Sequence, residues 1–219
     1  MPQNQLRTPM FVDDSDTGLV IAGLRRYNLF TAAFFLGRQR SLHAEFVRTV
    51  GAGPGQRALD IGCGPGKLVR ALGTAVGERG AAVGVDPSEI AIADNRRRDL
   101  APNHRYERGP AQDLPFADAE FDVVTCTFVM HHIPAAARSA ALGEMWRVLR
   151  PGGTLLLADA SPGPVMRRVL RPLLGGDPFA EVDIRRYTDG VKATGFTGLE
   201  YRQSRYQTGI LTAAKPASV

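Results

Sequence analysis

Between Ala58 and Leu68 the chain reads Ala-Leu-Asp-Ile-Gly-Cys-Gly-Pro-Gly-Lys-Leu, and this run constrains the fold more than any other. A short apolar strand pattern, Arg57–Ile61, runs into three glycines at alternate positions, Gly62, Gly64 and Gly66, and a helix pattern starts at Lys67. Glycine admits unusual backbone dihedrals and lets a ligand approach the main chain closely. The unpaired N–H groups of the helix that follows attract a polar or negative group. A turn of this kind at the end of a parallel strand lies where open α/β sheets bind ligands.

The pattern repeats downstream. Ala81–Asp86 reads as a second strand with a helix after Pro87, and 105–108 as a short third. Residues 121–126 read as a fourth, followed by a loop and a helix from about Ala135. The turn Pro151-Gly152-Gly153 leads to a fifth at 154–159. Apolar strands alternating with helices imply a parallel sheet covered on both faces. After Gly195 the pattern changes to two successive strands, 198–205 and 206–214, which predicts antiparallel pairing at the sheet edge.

The N-terminal part is different in kind. Asp13-Asp14-Ser15-Asp16 reads as a helix start, and residues 18–50 as helical, with no proline to interrupt them. Residues 29–36, Leu-Phe-Thr-Ala-Ala-Phe-Phe-Leu, are unusually apolar for a surface helix. They read equally as a helix packed on the core and as a lid over an apolar pocket. The breaker cluster 51–55 closes this part. The expected organisation is therefore an N-terminal helical cap, 1–50, and a core, 51–219, with an insertion at 161–182.

Several classes are poor fits. With 44% hydrophobic and 22% charged residues, a chain of this length buries a sizeable core, so neither disorder nor a disulfide-stapled miniature fold is expected. Cys63 and Cys126 are too far apart in sequence to suggest a zinc site or a disulfide framework. A reducing, cytoplasmic setting is the default. No signal-peptide pattern opens the chain, and no apolar run approaches the roughly 18–20 residues that span a bilayer. The net charge of +5 comes from scattered arginines rather than a basic run with interleaved aromatics, so neither nucleic-acid binding nor stable membrane insertion is expected. A P-loop is absent, and a nicotinamide or flavin fingerprint needs G-x-G-x-x-G, whereas here the third glycine comes one residue early.

Asp60-x-Gly62-x-Gly64-x-Gly66 resembles the first motif of class I S-adenosylmethionine-dependent methyltransferases. Val83-Gly84-Val85-Asp86-Pro87-Ser88 is similar to the family's second-strand motif, and Gln112-Asp113-Leu114-Pro115-Phe116 to the segment after its third strand. Phe121-Asp122-Val123-Val124 and Leu149-Arg150-Pro151-Gly152-Gly153 complete the set, which covers about residues 56–159. The resemblance implies a Rossmann-like α/β sandwich of seven strands, mostly parallel, with the last strand antiparallel. It also implies S-adenosylmethionine as cofactor, with S-adenosylhomocysteine as product.

By the same resemblance Asp60, Gly62, Cys63, Gly64 and Gly66 face the cofactor's amino-acid end. Asp86 and Pro87 lie at the ribose, where a carboxylate can accept from two hydroxyls at once. Gln112, Asp113 and Leu114 lie at the adenine, and Thr127 at the end of the fourth strand. Within the superfamily the likeness is to the ubiquinone/menaquinone C-methyltransferase-like group, in which an aromatic residue near Tyr27 closes over the cofactor. The quinone enzymes of that group carry an arginine–asparagine pair after the fourth strand, where this chain has Met130-His131-His132-Ile133.

His131 and His132 are the candidate bases, since a neutral imidazole accepts a proton near neutral pH. His43 and His104 carry no signal. No metal site is expected. The acceptor is expected to be a small lipophilic or aromatic molecule, held by the N-terminal helices and the 161–182 insertion, and the protein a monomer or homodimer. A cyclase or isomerase on the same pocket, or a regulator that binds the cofactor without catalysis, is the competing reading.

Overall fold

The computed structural model describes residues 8–163 and 182–217. Seven strands form one sheet: β3 (Arg57–Ile61), β4 (Ala81–Asp86), β5 (His104–Arg108), β6 (Phe121–Thr127), β7 (Leu149–Ala160), β8 (Thr197–Ser204) and β9 (Thr208–Ala214). Their order is β5-β4-β3-β6-β7-β9-β8. The first five pair in parallel, and β9 runs antiparallel to both of its neighbours. This is the expected seven-stranded Rossmann-like arrangement. The chain order reverses beside β3, between β4 and β6, so the tips of these strands form the crevice in which such sheets bind ligands.

The central strands are apolar almost throughout because helices cover both faces. On one face lie α2 (Gln39–Val50), which buries Leu42, Phe46 and Val50, and α3 (Lys67–Val76), which buries Leu68, Val69, Leu72 and Val76. These i, i+4, i+8 stripes are what helical periodicity requires. On the other face α5 (Arg138–Val148) buries Ala141, Leu142, Met145 and Val148, and α6 (Thr188–Ala193) buries Val191. Helix α4 (Glu89–Arg98) is capped by Ser88, whose Oγ accepts from the Ala91 N–H at 3.2 Å.

The N-terminal part departs from the continuous helix expected over 18–50. Residues Phe11–Asp14 (β1) and Gly18–Ile21 (β2) form an antiparallel hairpin, and two helices follow, α1 (Leu24–Phe34) and α2. The aspartates read as a helix start form the hairpin turn instead. Asp14 Oδ1 accepts from the N–H groups of Asp16 (3.0 Å) and Thr17 (2.9 Å), so the side chain competes with a helix for the same donors. Between α1 and α2 the backbone turns at Leu36 and Gly37, both with positive φ. The insertion expected at 161–182 falls almost wholly outside the described residues. Among the described residues no helix is long and apolar enough to cross a membrane.

Candidate active site

The glycine turn leaves the tip of β3 under tight steric control. Gly62 has φ +70°, and a Cβ there would lie 2.2 Å from Val129 Cγ2, so only glycine fits. Gly66, also left-handed, packs its Cα face against Asn95 and Tyr106 as α3 begins. Asp86, at the tip of β4, holds the turn in place. Its Oδ2 accepts from the Gly64 N–H and its Oδ1 from the Ser88 N–H, both at 2.8 Å. Asp60 sits in the next strand, 2% exposed, and Oδ1 accepts from the hydroxyl of Thr125, its cross-strand partner, at 2.8 Å. Burial pushes the Asp60 carboxyl up to about 7, against the opposing pull of the Thr125 bond. Burial also raises Asp86, and it pushes the Cys63 thiol well above its ordinary value.

Two neighbouring spaces open beside these tips. A narrow slot of about 50 Å³ is lined by Asp86, Pro87 and Gln112 and roofed by the β1–β2 hairpin. The hairpin is held down by three bonds. Ser88 Oγ donates to the Ile21 carbonyl at 2.6 Å, Gln112 Nε2 to the Asp16 carbonyl at 2.7 Å, and the Leu19 N–H to the His132 carbonyl at 3.3 Å. A larger cavity of about 300 Å³ lies beyond, and Phe11, Tyr27, Gly62, Phe128 and His132 line both spaces. Its walls carry several aromatic rings: Phe30, Phe34 and Phe35 from the first helical segment, and Phe128, held at φ +60° between Phe35 and Phe46.

The cavity also contains a polar pair. His131 Nδ1 lies 2.6 Å from Asp159 Oδ2, and Asp159, 1% exposed at the end of β7, accepts the Ala160 N–H on its other oxygen. Burial raises the Asp159 carboxyl, partly offset by His131. His132 differs from its neighbour. Its ring packs 3.9 Å from that of His131 and 5.1 Å from Phe11, and its Nδ1 is buried without a hydrogen-bond partner among the described residues. Burial, reinforced by the adjacent His131, lowers its pKa to about 3, so it stays neutral.

Of the residues singled out from sequence, Asp60, Gly62, Cys63, Thr127, Tyr27, His131 and His132 line the larger cavity, and Asp86, Pro87 and Gln112 the slot. Gly64 and Gly66 shape the turn behind them. Asp113 is exposed and lines neither space, while Leu114 is buried in the core with its N–H donating to Glu144 at 2.8 Å. Asp159, Phe128 and His43 were missed. An acid at the carboxyl end of a parallel strand was the available signal for Asp159. His43, which carried no signal, lies half-buried in the cavity wall near Lys67, and desolvation there lowers its pKa to about 4. His104 is structural: it bonds Asp99 at 2.9 Å and fills the notch at Gly73.

A methyltransferase-domain family model matches residues 58–153. The demethylmenaquinone methyltransferase of Beutenbergia cavernae is 36% identical over 201 residues, 81% of each chain. The chain belongs to the class I S-adenosylmethionine-dependent methyltransferases. A second relative, the demethylmenaquinone methyltransferase of Symbiobacterium thermophilum, is 34% identical over 62% of this chain and 55% of its own length. The fold is shared with a methyltransferase structure from Methanococcus maripaludis, at TM-score 0.70 and 16% identity over 90% of this chain and 94% of that one.

The donor set of the methyltransferase site fits its cofactor chemically. Asp60, Asp86 and Asp159 are three carboxylates whose charged forms burial disfavours. A ligand that brings positive charge and a diol relieves that cost, whereas the pyrophosphate of a dinucleotide would add to it.

Proposed function

We propose that this methyltransferase acts on a small, lipophilic hydroxyaromatic acceptor, a hydroquinone or phenol, and that His131, oriented by Asp159, removes the acceptor's proton. The observation that carries this reading is the His131–Asp159 pair facing an aromatic-walled cavity that opens from the strand tips. The relatives named as demethylmenaquinone methyltransferases support an aromatic ring that bears oxygens and a lipid tail. Because His131-His132 stands where the quinone enzymes carry arginine and asparagine, the class proposed is the wider hydroxyaromatic one.

When bound, S-adenosylmethionine supplies a methyl group already activated by positive sulfur. The residues of this chain then bind, align and exclude water. Asp86 is assigned to the ribose hydroxyls, since each of its oxygens keeps acceptor capacity beyond the one backbone N–H it holds. Pro87 and Gln112 flank the adenosine end, with Gln112 taking the adenine edge from which Asp113 turns away. Asp60, Gly62, Cys63, Tyr27 and Thr127 border the amino-acid end. Tyr27, whose hydroxyl is raised to about 12 by burial and then by Asp86, stays protonated as a donor.

Asp159 accepts the Nδ1 proton of His131, which fixes the tautomer and leaves Nε2 as the base. Loss of the hydroxyl proton to Nε2 turns the ring into an electron-rich phenolate, nucleophilic at oxygen and at the adjacent ring carbon. Proximity and alignment supply the rest of the rate. His132, kept neutral near pH 7 by burial, is assigned as a hydrogen-bond partner of the acceptor rather than a base. The protein works as a cytoplasmic monomer or homodimer.

The test is a panel of hydroquinones, phenols, amines and thiols with methyl-labelled cofactor. Label should enter the hydroxyaromatics, with release of S-adenosylhomocysteine. Label in amines or thiols alone would contradict the assignment. Cofactor binding without consumption across the panel would favour the non-methylating readings.

A further inference from the structure

Helix α1 carries apolar residues on both of its faces. Tyr27, Thr31 and Phe34 turn inward and line the cavity. The opposite face carries Leu29, 73% exposed, and Ala33, also exposed, and at the turn that follows Leu36 is 77% exposed. Ridges of this kind are seldom left bare on a monomer without a partner. Packing among the described residues gives no reason for them. Leu36 in particular holds φ +49°, a conformation that glycine or asparagine adopts at lower cost, and its side chain contacts solvent rather than core.

Charge identifies the partner. Arg25 and Arg26 flank the ridge at its start, Arg38 and Arg40 at its end, and all four are exposed. Residues 17–44 contain no aspartate or glutamate. An apolar ridge framed by cations, on a stretch of chain without acids, is complementary to a negatively charged bilayer surface, where leucine enters the acyl boundary and arginine meets the headgroups. A second copy of the chain is a poorer occupant. A symmetric contact would lay the patch on itself and bring the arginines of both copies together with no acid to offset them.

We infer that the outer face of α1 and the Leu36 turn form a docking surface for an anionic lipid bilayer. Docking of this kind is peripheral and reversible. It sets the wall of the cavity on the membrane, so an acceptor dissolved in lipid has only the thickness of one helix to pass. That consequence rests on the lipophilic acceptor proposed above; the docking itself does not.

The experiment is co-sedimentation of the full chain with vesicles of phosphatidylcholine alone, or with about one-third phosphatidylglycerol. The wild type should bind the anionic vesicles, ignore the neutral ones, and be released by about 0.5 M salt. The double variant Leu29→Glu/Leu36→Glu, which leaves the cavity lining untouched, should lose binding by about tenfold or more while binding S-adenosylhomocysteine as the wild type does. A charge variant, Arg25→Glu/Arg38→Glu, should lose binding to a similar degree.

Three results would overturn the inference: no association of the wild type, equal association with both vesicles, or association unchanged in both variants. A concentration-dependent dimer abolished by Leu29→Glu would also overturn it and assign the face to self-association. None of these results bears on whether the chain methylates a hydroxyaromatic, which the labelled panel decides separately.

Discussion

The strand tips and the aromatic cavity share one crevice, yet they are assembled from very different stretches of chain. The tips are contiguous: Asp60 to Gly66 and Asp86 to Ser88 each fold locally, and Asp86 joins them through the Gly64 N–H. The cavity brings together Tyr27, His43, Phe128, His131 and Asp159, which are scattered over more than half the chain. The tips are polar and, in the proposed function, hold the nucleoside end of the cofactor. The cavity is largely apolar, with the His131–Asp159 pair directed into it. Binding of the donor and chemistry on the acceptor should therefore separate under mutation.

The largest effect tests that separation directly. His131→Ala should lower turnover by about 10²–10⁴-fold, the range for loss of a positioned base, and leave cofactor affinity nearly unchanged. Asp159→Asn should lower turnover less, because the imidazole remains but its tautomer is no longer fixed. Exogenous imidazole should restore part of the activity of His131→Ala. A parallel loss of cofactor affinity in either variant would break the distinction between the two regions.

A smaller effect sharpens it through pH. The Asp60 carboxyl is raised to about 7 in the folded chain from an unfolded 3.8, so the unfolded state releases its proton first as pH rises. Its contribution favours the ligand-free fold below about pH 4 and is lost as pH climbs to 7. Asp60→Asn should therefore raise the melting temperature of the ligand-free protein by several °C at pH 8 and by little at pH 4. A gain of equal size at both pH values would remove burial of the charge as the cause.

The smallest expected effect has the opposite sign. His43 is lowered to about 4 from 6.5, so the unfolded state takes up its proton first as pH falls. Its contribution is present above pH 6.5 and is lost towards pH 4. His43→Gln should flatten the decline in stability over that window, as read by denaturant melts at pH 7 and pH 4.5.

The same contrast accounts for what the sequence made legible. Strand–glycine–helix runs report themselves because short-range sterics and periodicity form them: Ala81–Asp86 came out with its observed bounds, as did the start of α3. The antiparallel pair at the edge was equally visible in 198–214. The hairpin was not, because the Asp14 side chain takes the donors that would have opened a helix. Asp159 and His131 are 28 residues apart, and only the parallel pairing of β6 with β7 brings them to one cavity. His43 reaches the site because α2 packs beside α3, a tertiary fact without a local motif. Asp113 illustrates the reverse: a motif residue whose side chain stays exposed outside both spaces.

The central claim is that Asp86 grips the cofactor's ribose at the tip of β4. Isothermal titration of S-adenosylhomocysteine into wild type and Asp86→Ala tests it most directly, with circular dichroism to confirm that the variant folds. Loss of a charged hydrogen-bonding partner to two hydroxyls should weaken binding by about 10- to 100-fold. Equal affinity in a folded variant would place the nucleoside elsewhere and contradict the account.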